Sequence, residues 1–358
     1  MVTSSDAVFI DRLRGGSILR VILSHLGLSW FYPPWSEFVL ALLPILFVAS
    51  GAVSLPSYHR ARSNSAFLIR RLVMLTLPYY LLVLIIFCTL TVIQMSWPNE
   101  FGAPDLIAWL VIDPPTQKID FSFGHVWFLQ SLAIITVIAP PAFALASRRH
   151  DVLLIMALVS ITLGAGQTIY SIAPFFYFSE INLYQPIVNM GFFFFGAWYI
   201  LASSGQRMVT LIVSGSLSVI GVAVSLTKES MELGIAAHSY APDLYYLSVS
   251  YLLLSVILSL QRAITLILDK SRKIDWFVRF FSRHAFSAFL LHVFFIYWSE
   301  VYLGLENVAG SPFQALIKIG FVILATMLAV VPFTTLSRST RQTLLSRLGM
   351  RAQSVAAY

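Results

Sequence analysis

Charge is scarce in this chain of 358 residues: only 11% of the side chains are charged, under half the share usual in a soluble domain. The shortage excludes a chain that hides its apolar residues in one aqueous core, because 58% are hydrophobic and mean hydropathy is +0.82. Lipid must be the solvent for much of such a surface. Cysteine occurs once, at Cys88 inside an apolar run, which excludes an internal disulfide and a cysteine metal cluster. No His-Glu-x-x-His helix or comparable ligand spacing occurs, so no metal is expected. Gly15–Gly16 is too short for a phosphate loop, and no Walker lysine follows it. The opening segment, residues 1–10, is polar and acidic rather than basic and then apolar, so no signal peptide is expected. Without repeats, low-complexity linkers or an appended soluble region, residues 1–358 read as one membrane domain. Its short tail, 337–358, is expected in the cytoplasm.

What the chain does have is a succession of apolar runs of roughly 18–25 residues, the length that crosses a bilayer as a helix. They fall near 15–32, 36–55, 72–94, 125–147, 152–172, 185–202, 209–226, 244–261, 286–303 and 312–336. The expected fold class is therefore all-α, a polytopic membrane protein of about ten transmembrane helices. Of the 23 Lys and Arg residues, 19 collect on alternate loops together with both termini, while the opposite loops hold Lys118 and Lys228 and are otherwise acidic. This is the positive-inside pattern and predicts both termini in the cytoplasm, with a bacterial inner or plasma membrane as the location. The basic charge is spread over every inner loop, so it does not point to nucleic acid. Two connections stand out. The outer stretch 95–124 is long and predicts a short helix over 105–113. The inner stretch 262–284 mixes Lys and Arg with Trp276, Phe277, Phe280 and Phe281, a composition suited to the headgroup layer.

Ionisable side chains within spans are costly and are functional candidates by default. Arg14 and His25 are the sharpest pair. Eleven helical steps of about 100° bring them to within about 20° of one face, with a rise of about 16 Å. One stripe thus carries a cation able to grip an anion and, deeper, an imidazole able to take a proton from a hydroxyl. The same spacing is also met by an orientation charge plus a packing histidine. Arg20 points away from Arg14 and reads as a structural ion-pair residue, and Asp11 as a brace for Arg14. His125, His292, Glu300, Glu37 and Lys318 are further candidates, but taken singly each is better accounted for by packing or snorkelling than by a functional role.

Several segments resemble the type 3 acyltransferases, membrane proteins that move acyl groups onto sugars, lipids and other small acceptors. Asp11-Arg-Leu-Arg14 followed by His25 resembles the family's arginine, ten residues, histidine motif. Leu46-Phe-Val-Ala-Ser50-Gly51 resembles its Ser-Gly signature, and Phe67-Leu-Ile-Arg70-Arg71 with Pro78-Tyr79-Tyr80 its basic entry to the third span. His125-Val-Trp127-Phe128-Leu129 resembles an aromatic signature, and Ser287-Ala-Phe289-Leu290-Leu291-His292 a serine-to-histidine one. The third-span motif departs in one respect, since Met74 stands where the family commonly repeats an arginine.

The resemblance implies a ten-span core, an acyl-CoA donor reached from the cytoplasm, a hydroxyl acceptor often presented from the outer side, and an essential His25 with Arg14 in the same active region. On that expectation His25 and Arg14 are catalytic, and Arg70, Arg71, Ser50, Trp127 and His292 bind substrate. No tightly bound cofactor is expected; acyl-CoA, most simply acetyl-CoA, is the donor substrate. The partners are a hydroxyl-bearing acceptor and the lipid bilayer. The expected chemistry is O-acetylation of a saccharide, lipid-linked glycan or other small acceptor, as in polysaccharide modification. A transporter or flippase of a lipid or saccharide would also use intramembrane His and Arg residues and glycine-bearing spans. Paired halves, which many transporters show, are not visible in the sequence.

Overall fold

In the computed structural model the described residues are 4–26, 38, 41–94, 103–112, 124–178, 181–227, 234–235, 237–306 and 311–350. These residues are helical apart from short turns and a two-residue antiparallel pair, Tyr177–Phe178 with Ile181–Asn182. In order the helices are α1 Ser4–His25, α2 Ile45–His59, α3 Asn64–Gln94, α4 Ala103–Leu110, α5 Trp127–Ala146, α6 Val152–Tyr170 and α7 Tyr184–Tyr199. They continue with α8 Ser204–Leu226, α9 Leu244–Ser259, α10 Gln261–Lys270, α11 Arg272–Arg283, α12 Ala285–Val301 and α13 Pro312–Arg347.

Five helices among the described residues, α3, α5, α6, α8 and α13, are long and apolar enough to cross a membrane. The number becomes seven if the bent pairs α9–α10 (57°) and α11–α12 (90°) each count as one span. The expectation of about ten is therefore met only in part, and the reasons are local. Helix α1 carries Asp6, Asp11, Arg12, Arg14 and Arg20. Helices α2 and α7 have only 15 and 16 residues. A third of the first expected span, residues 27–32, lies outside the described residues, as do Glu37, Lys118, Lys228 and most of the long outer connection.

Helix α7 is short because it does not face lipid: every residue from Val188 to Tyr199 is buried. It packs against α2, α5 and α6. A Cβ at Gly51 would land on the Phe193 carbonyl, and one at Gly196 on the Val48 carbonyl. The two helices can therefore cross at backbone contact only because each has glycine there, as is common where helices pack in membranes. Around this centre, α6, α8 and α13 turn apolar stripes outward, including Leu158, Ile212, Val219, Leu324 and Leu328. An outward face of that kind suits acyl chains and not water.

The expected helix over 105–113 is α4, and its C-terminal carbonyls are held by α3. The Tyr79 hydroxyl donates to the Trp109 carbonyl (3.2 Å) and the Tyr80 hydroxyl to that of Leu110 (2.6 Å). Helix ends leave carbonyls without partners, and the Tyr-Tyr pair supplies them. From residue 337 the chain continues as the last turns of α13. Between Ser337 and Leu348 there is no Pro or Gly, and Gly349, with a φ of 68°, takes the left-handed conformation that stops a helix.

Candidate active site

Six helices, α1, α2, α3, α5, α12 and α13, together with the end of α11, enclose a cavity of about 240 Å³. Five arginines line it, Arg14, Arg71, Arg283, Arg338 and Arg341, and among the described residues no carboxylate does. A second cavity of about 80 Å³ is lined by Arg20, Ser24, His25, His125, Trp127 and Ser239 among others. Phe128 and Phe289 line both cavities and stand between them, with ring centroids 5.2 Å apart.

Three helices pass from one cavity to the other, and their residues follow in register. Helix α1 presents Arg14 and Ile18 to the large cavity and His25 to the small one. Helix α12 presents Ser287, then Phe289 at the partition, then His292 against His25. Helix α5 presents Leu132 to the large cavity and Phe128 to the partition, with Trp127 beside the small cavity.

At the basic end, Arg14 is braced on both sides. It donates from NH2 to Asp11 (2.8 Å), and from Nε and NH2 to the Ser282 hydroxyl (3.2 and 3.1 Å). Gly15 permits this arrangement: a Cβ there would strike the Val278 carbonyl, so glycine lets α1 lie directly on α11. The neighbouring Arg12 is buried and pairs with Asp269 and Asp275. Asp275 also receives Arg279 (2.8 Å). Helix α11 holds five charged residues in twelve and turns 90° into α12, so Asp275 lies outside the spans. Burial works against its charge, but hydrogen bonds from Arg12 and Arg279 prevail and hold its carboxyl below the ordinary carboxylate range.

Arg71 enters the large cavity from α3 and is buried, donating to the Ser54 hydroxyl. Ser54 in turn donates to the Ser50 carbonyl (2.6 Å). The Arg71 Nε has no hydrogen-bond partner among the described residues. A buried guanidinium with an unused donor beside a cavity free of carboxylates is the chemistry of an anion site. Arg70 does not line either cavity: neighbours on a helix point about 100° apart, so only one of the two can face inward. Met74, at the position of the family's usual second arginine, lines the cavity. Ser50 lines it too, and Trp127 lines the small one.

The two histidines meet. His25 Nδ1 lies 2.8 Å from His292 Nε2, with the rings nearly parallel at 12°. His292 is fully buried, and its Nδ1 lies 3.1 Å from the Ala288 carbonyl. A carbonyl can only accept, so His292 Nδ1 carries the proton and donates, which leaves His292 Nε2 as an acceptor. His25 Nδ1–H then donates to it. The His25 Nε2 is left with its lone pair, on a ring accessible within the small cavity. His125 completes a three-ring group, 6.4 Å from His25 and 5.7 Å from His292 between centroids. No group of His, Cys, Asp or Glu among the described residues has the geometry to hold a metal ion.

Four lining residues escaped the sequence reading. Arg20 points away from Arg14, as its helical position requires, but into the pocket of His25. Arg283, Arg338 and Arg341 passed as orientation charges. The available signal was the spacing Thr334, Ser337, Arg338, Arg341, which puts all four on one face of α13. Lys318 is buried and pairs with Glu300 (2.7 Å), tying α13 to α12, and neither residue lines either cavity.

A family model described as an acyltransferase domain, that of the type 3 acyltransferases, matches residues 8–335, from α1 to the turn of α13 beside the large cavity. No curated protein and no solved structure matches the chain.

Proposed function

Because the chain belongs to the type 3 acyltransferase family and is a membrane acyltransferase, we propose that it transfers an acyl group, acetyl in the simplest case, from acyl-CoA to an acceptor hydroxyl. The observation that carries this reading is the pairing of two cavities. An arginine-lined chamber abuts a small pocket in which the His25 Nε2 lone pair is exposed, and Phe128 and Phe289 line both.

The donor's phosphates sit at the basic end, where Arg14 and the unused Nε of Arg71 give charge-assisted hydrogen bonds. Its acyl-pantetheine arm runs along α1 past the two phenylalanines. At His25 the acceptor hydroxyl loses its proton to Nε2 as its oxygen attacks the thioester carbonyl. The carbon–oxygen bond forms, the carbon–sulfur bond breaks, and the imidazolium returns its proton to the departing thiolate. Ester and free CoA thiol are the products, and no acyl-enzyme is needed. His292 positions the base by accepting from Nδ1 and holding the productive tautomer. Trp127 and Arg20 line the acceptor side.

In the membrane, ten helical spans with both termini and the arginine chamber on the cytoplasmic side fit the positive-inside charge. The acceptor is then a saccharide, a lipid-linked glycan or a similar hydroxyl compound reaching the small cavity from the opposite side. Membranes containing the protein, given radiolabelled acetyl-CoA, should place label in base-labile esters of the glycan or lipid fraction. His25→Ala should abolish that label. Label that instead depends on an imposed proton gradient and survives His25→Ala would overturn acyl transfer by this site and favour transport.

A further inference from the structure

The large cavity holds more positive charge than a diphosphate requires. Arg14 and Arg71 lie deep: Arg71 is buried, Arg14 half-buried, and each is tied to a serine hydroxyl, that of Ser282 for Arg14 and of Ser54 for Arg71. Arg338 and Arg341 come from α13 one and two turns beyond Thr334, which anchors that helix to Ser287 (2.8 Å). Arg341 is half-buried and Arg338 exposed, so the pair forms the outer part of the chamber. No carboxylate among the described residues pairs with either of them, and both stand on a single uninterrupted helix.

Length relates the two pairs to one ligand. Arg14 and His25 are about 16 Å apart along α1 at about 1.5 Å per residue. A pantetheine arm is a chain of two amides, comparable to four or five extended peptide residues, or ~16 Å at about 3.5 Å each. A thioester held at His25 therefore puts the 5′-diphosphate level with Arg14 and Arg71. The ribose branches outward from the diphosphate, and its 3′-phosphate, a monoester carrying close to two negative charges, falls at the outer arginines.

We propose that Arg338 and Arg341 form a subsite for the 3′-phosphate of the donor's adenosine moiety and thereby set selectivity for CoA over 3′-dephospho-CoA thioesters. The proposal rests on the acyl-CoA reading of the site. An i,i+3 arginine pair on a rigid helix offers a fixed fork to a phosphate dianion, and a phosphodiester would meet it with one charge fewer.

The test is titration of the whole protein, in phosphatidylcholine nanodiscs, with acetyl-CoA and with acetyl-3′-dephospho-CoA. Wild type should prefer acetyl-CoA by roughly tenfold or more. Arg338→Gln/Arg341→Gln should bind acetyl-CoA weaker by that same factor, bind the dephospho compound as wild type does, and so lose the preference. Arg347→Gln, on the same helix beyond the cavity, should change neither titration. Retention of the preference in the double variant would overturn the subsite while leaving the donor intact. Equal weakening toward both compounds would overturn it as well, since the two arginines would then hold the diphosphate or the fold. Competition by phosphatidic acid against acetyl-CoA but not against the dephospho compound would reassign the same phosphomonoester chemistry to a lipid headgroup. Saturable binding of neither thioester to folded wild type would overturn the donor reading itself.

Discussion

At the residue scale, the geometry makes two histidines unequal. The Ala288 carbonyl dictates the His292 tautomer, which dictates that of His25. Removing His292 leaves His25 able to rotate or to expose the wrong nitrogen. His292→Ala should therefore lower kcat by roughly 10- to 100-fold, as loss of an orienting partner commonly does. KM for the donor should hardly change, because the arginine chamber is untouched. His292→Gln, whose amide oxygen can still accept from Nδ1–H, should recover part of the rate. Steady-state kinetics on the three proteins would decide; a rise in KM with kcat unchanged would make His292 a binding residue instead. His25 was legible in the sequence because an imidazole so deep in an apolar run needs a reason. His292 was legible as a substrate-binding candidate, but its pairing with His25 was not, since 267 residues separate them and only folding brings α12 beside α1. Likewise the sequence offered Arg70 and Arg71 together, and the helical turn of α3 selects Arg71 for the cavity.

At the scale of elements, two contacts position α1 and α2, the helices that carry Arg14 and Ser50. The first is the glycine crossing of α2 with α7. Gly51→Ala or Gly196→Ala must push two backbones apart, an overpacking cost of roughly 1–3 kcal/mol. Because both glycines serve one crossing, the double variant should cost less than the sum of the two. Thermal unfolding in detergent would measure this, and single variants with wild-type midpoints would contradict the crossing. The second contact is the ion-pair group of Arg12 with Asp269 and Asp275. The folded carboxyl of Asp275 is depressed below its ordinary value of 3.8. Its contribution is thus fully present above that value and is lost as pH falls through the lower folded one. Asp275→Asn should destabilise by roughly 1–2 kcal/mol at pH 7 and make no difference in strong acid. A pH-independent difference would mean that shape, not charge, is what Asp275 supplies. The apolar runs located the long helices, while the mixed aromatic and basic composition of 262–284 pointed to the headgroup layer without marking α10 and α11 as helices. The interior position of α7 was not legible: its run at 185–202 resembles the other apolar spans, and only the glycines on either side of the four phenylalanines hint at close neighbours.

At the scale of the whole molecule, the account rests on a division of labour. One end of the bundle concentrates cations, the middle holds a base, and a pair of aromatic rings parts them. Charge alternation made the basic end legible, but it could not tell arginines that orient the chain from those that line a chamber. Arg338 and Arg341 were hidden in that way, inside a segment that reads as a tail and folds as the last turns of α13. The central claim is that His25 works on a donor held by the arginine chamber. Its most direct test is release of free CoA thiol from acetyl-CoA by purified protein without added acceptor, water taking the acceptor's place. The account predicts slow, saturable release by wild type and none by His25→Ala, with donor binding in that variant unchanged within about twofold. Release by His25→Ala at the wild-type rate would contradict it, since the base would then lie elsewhere.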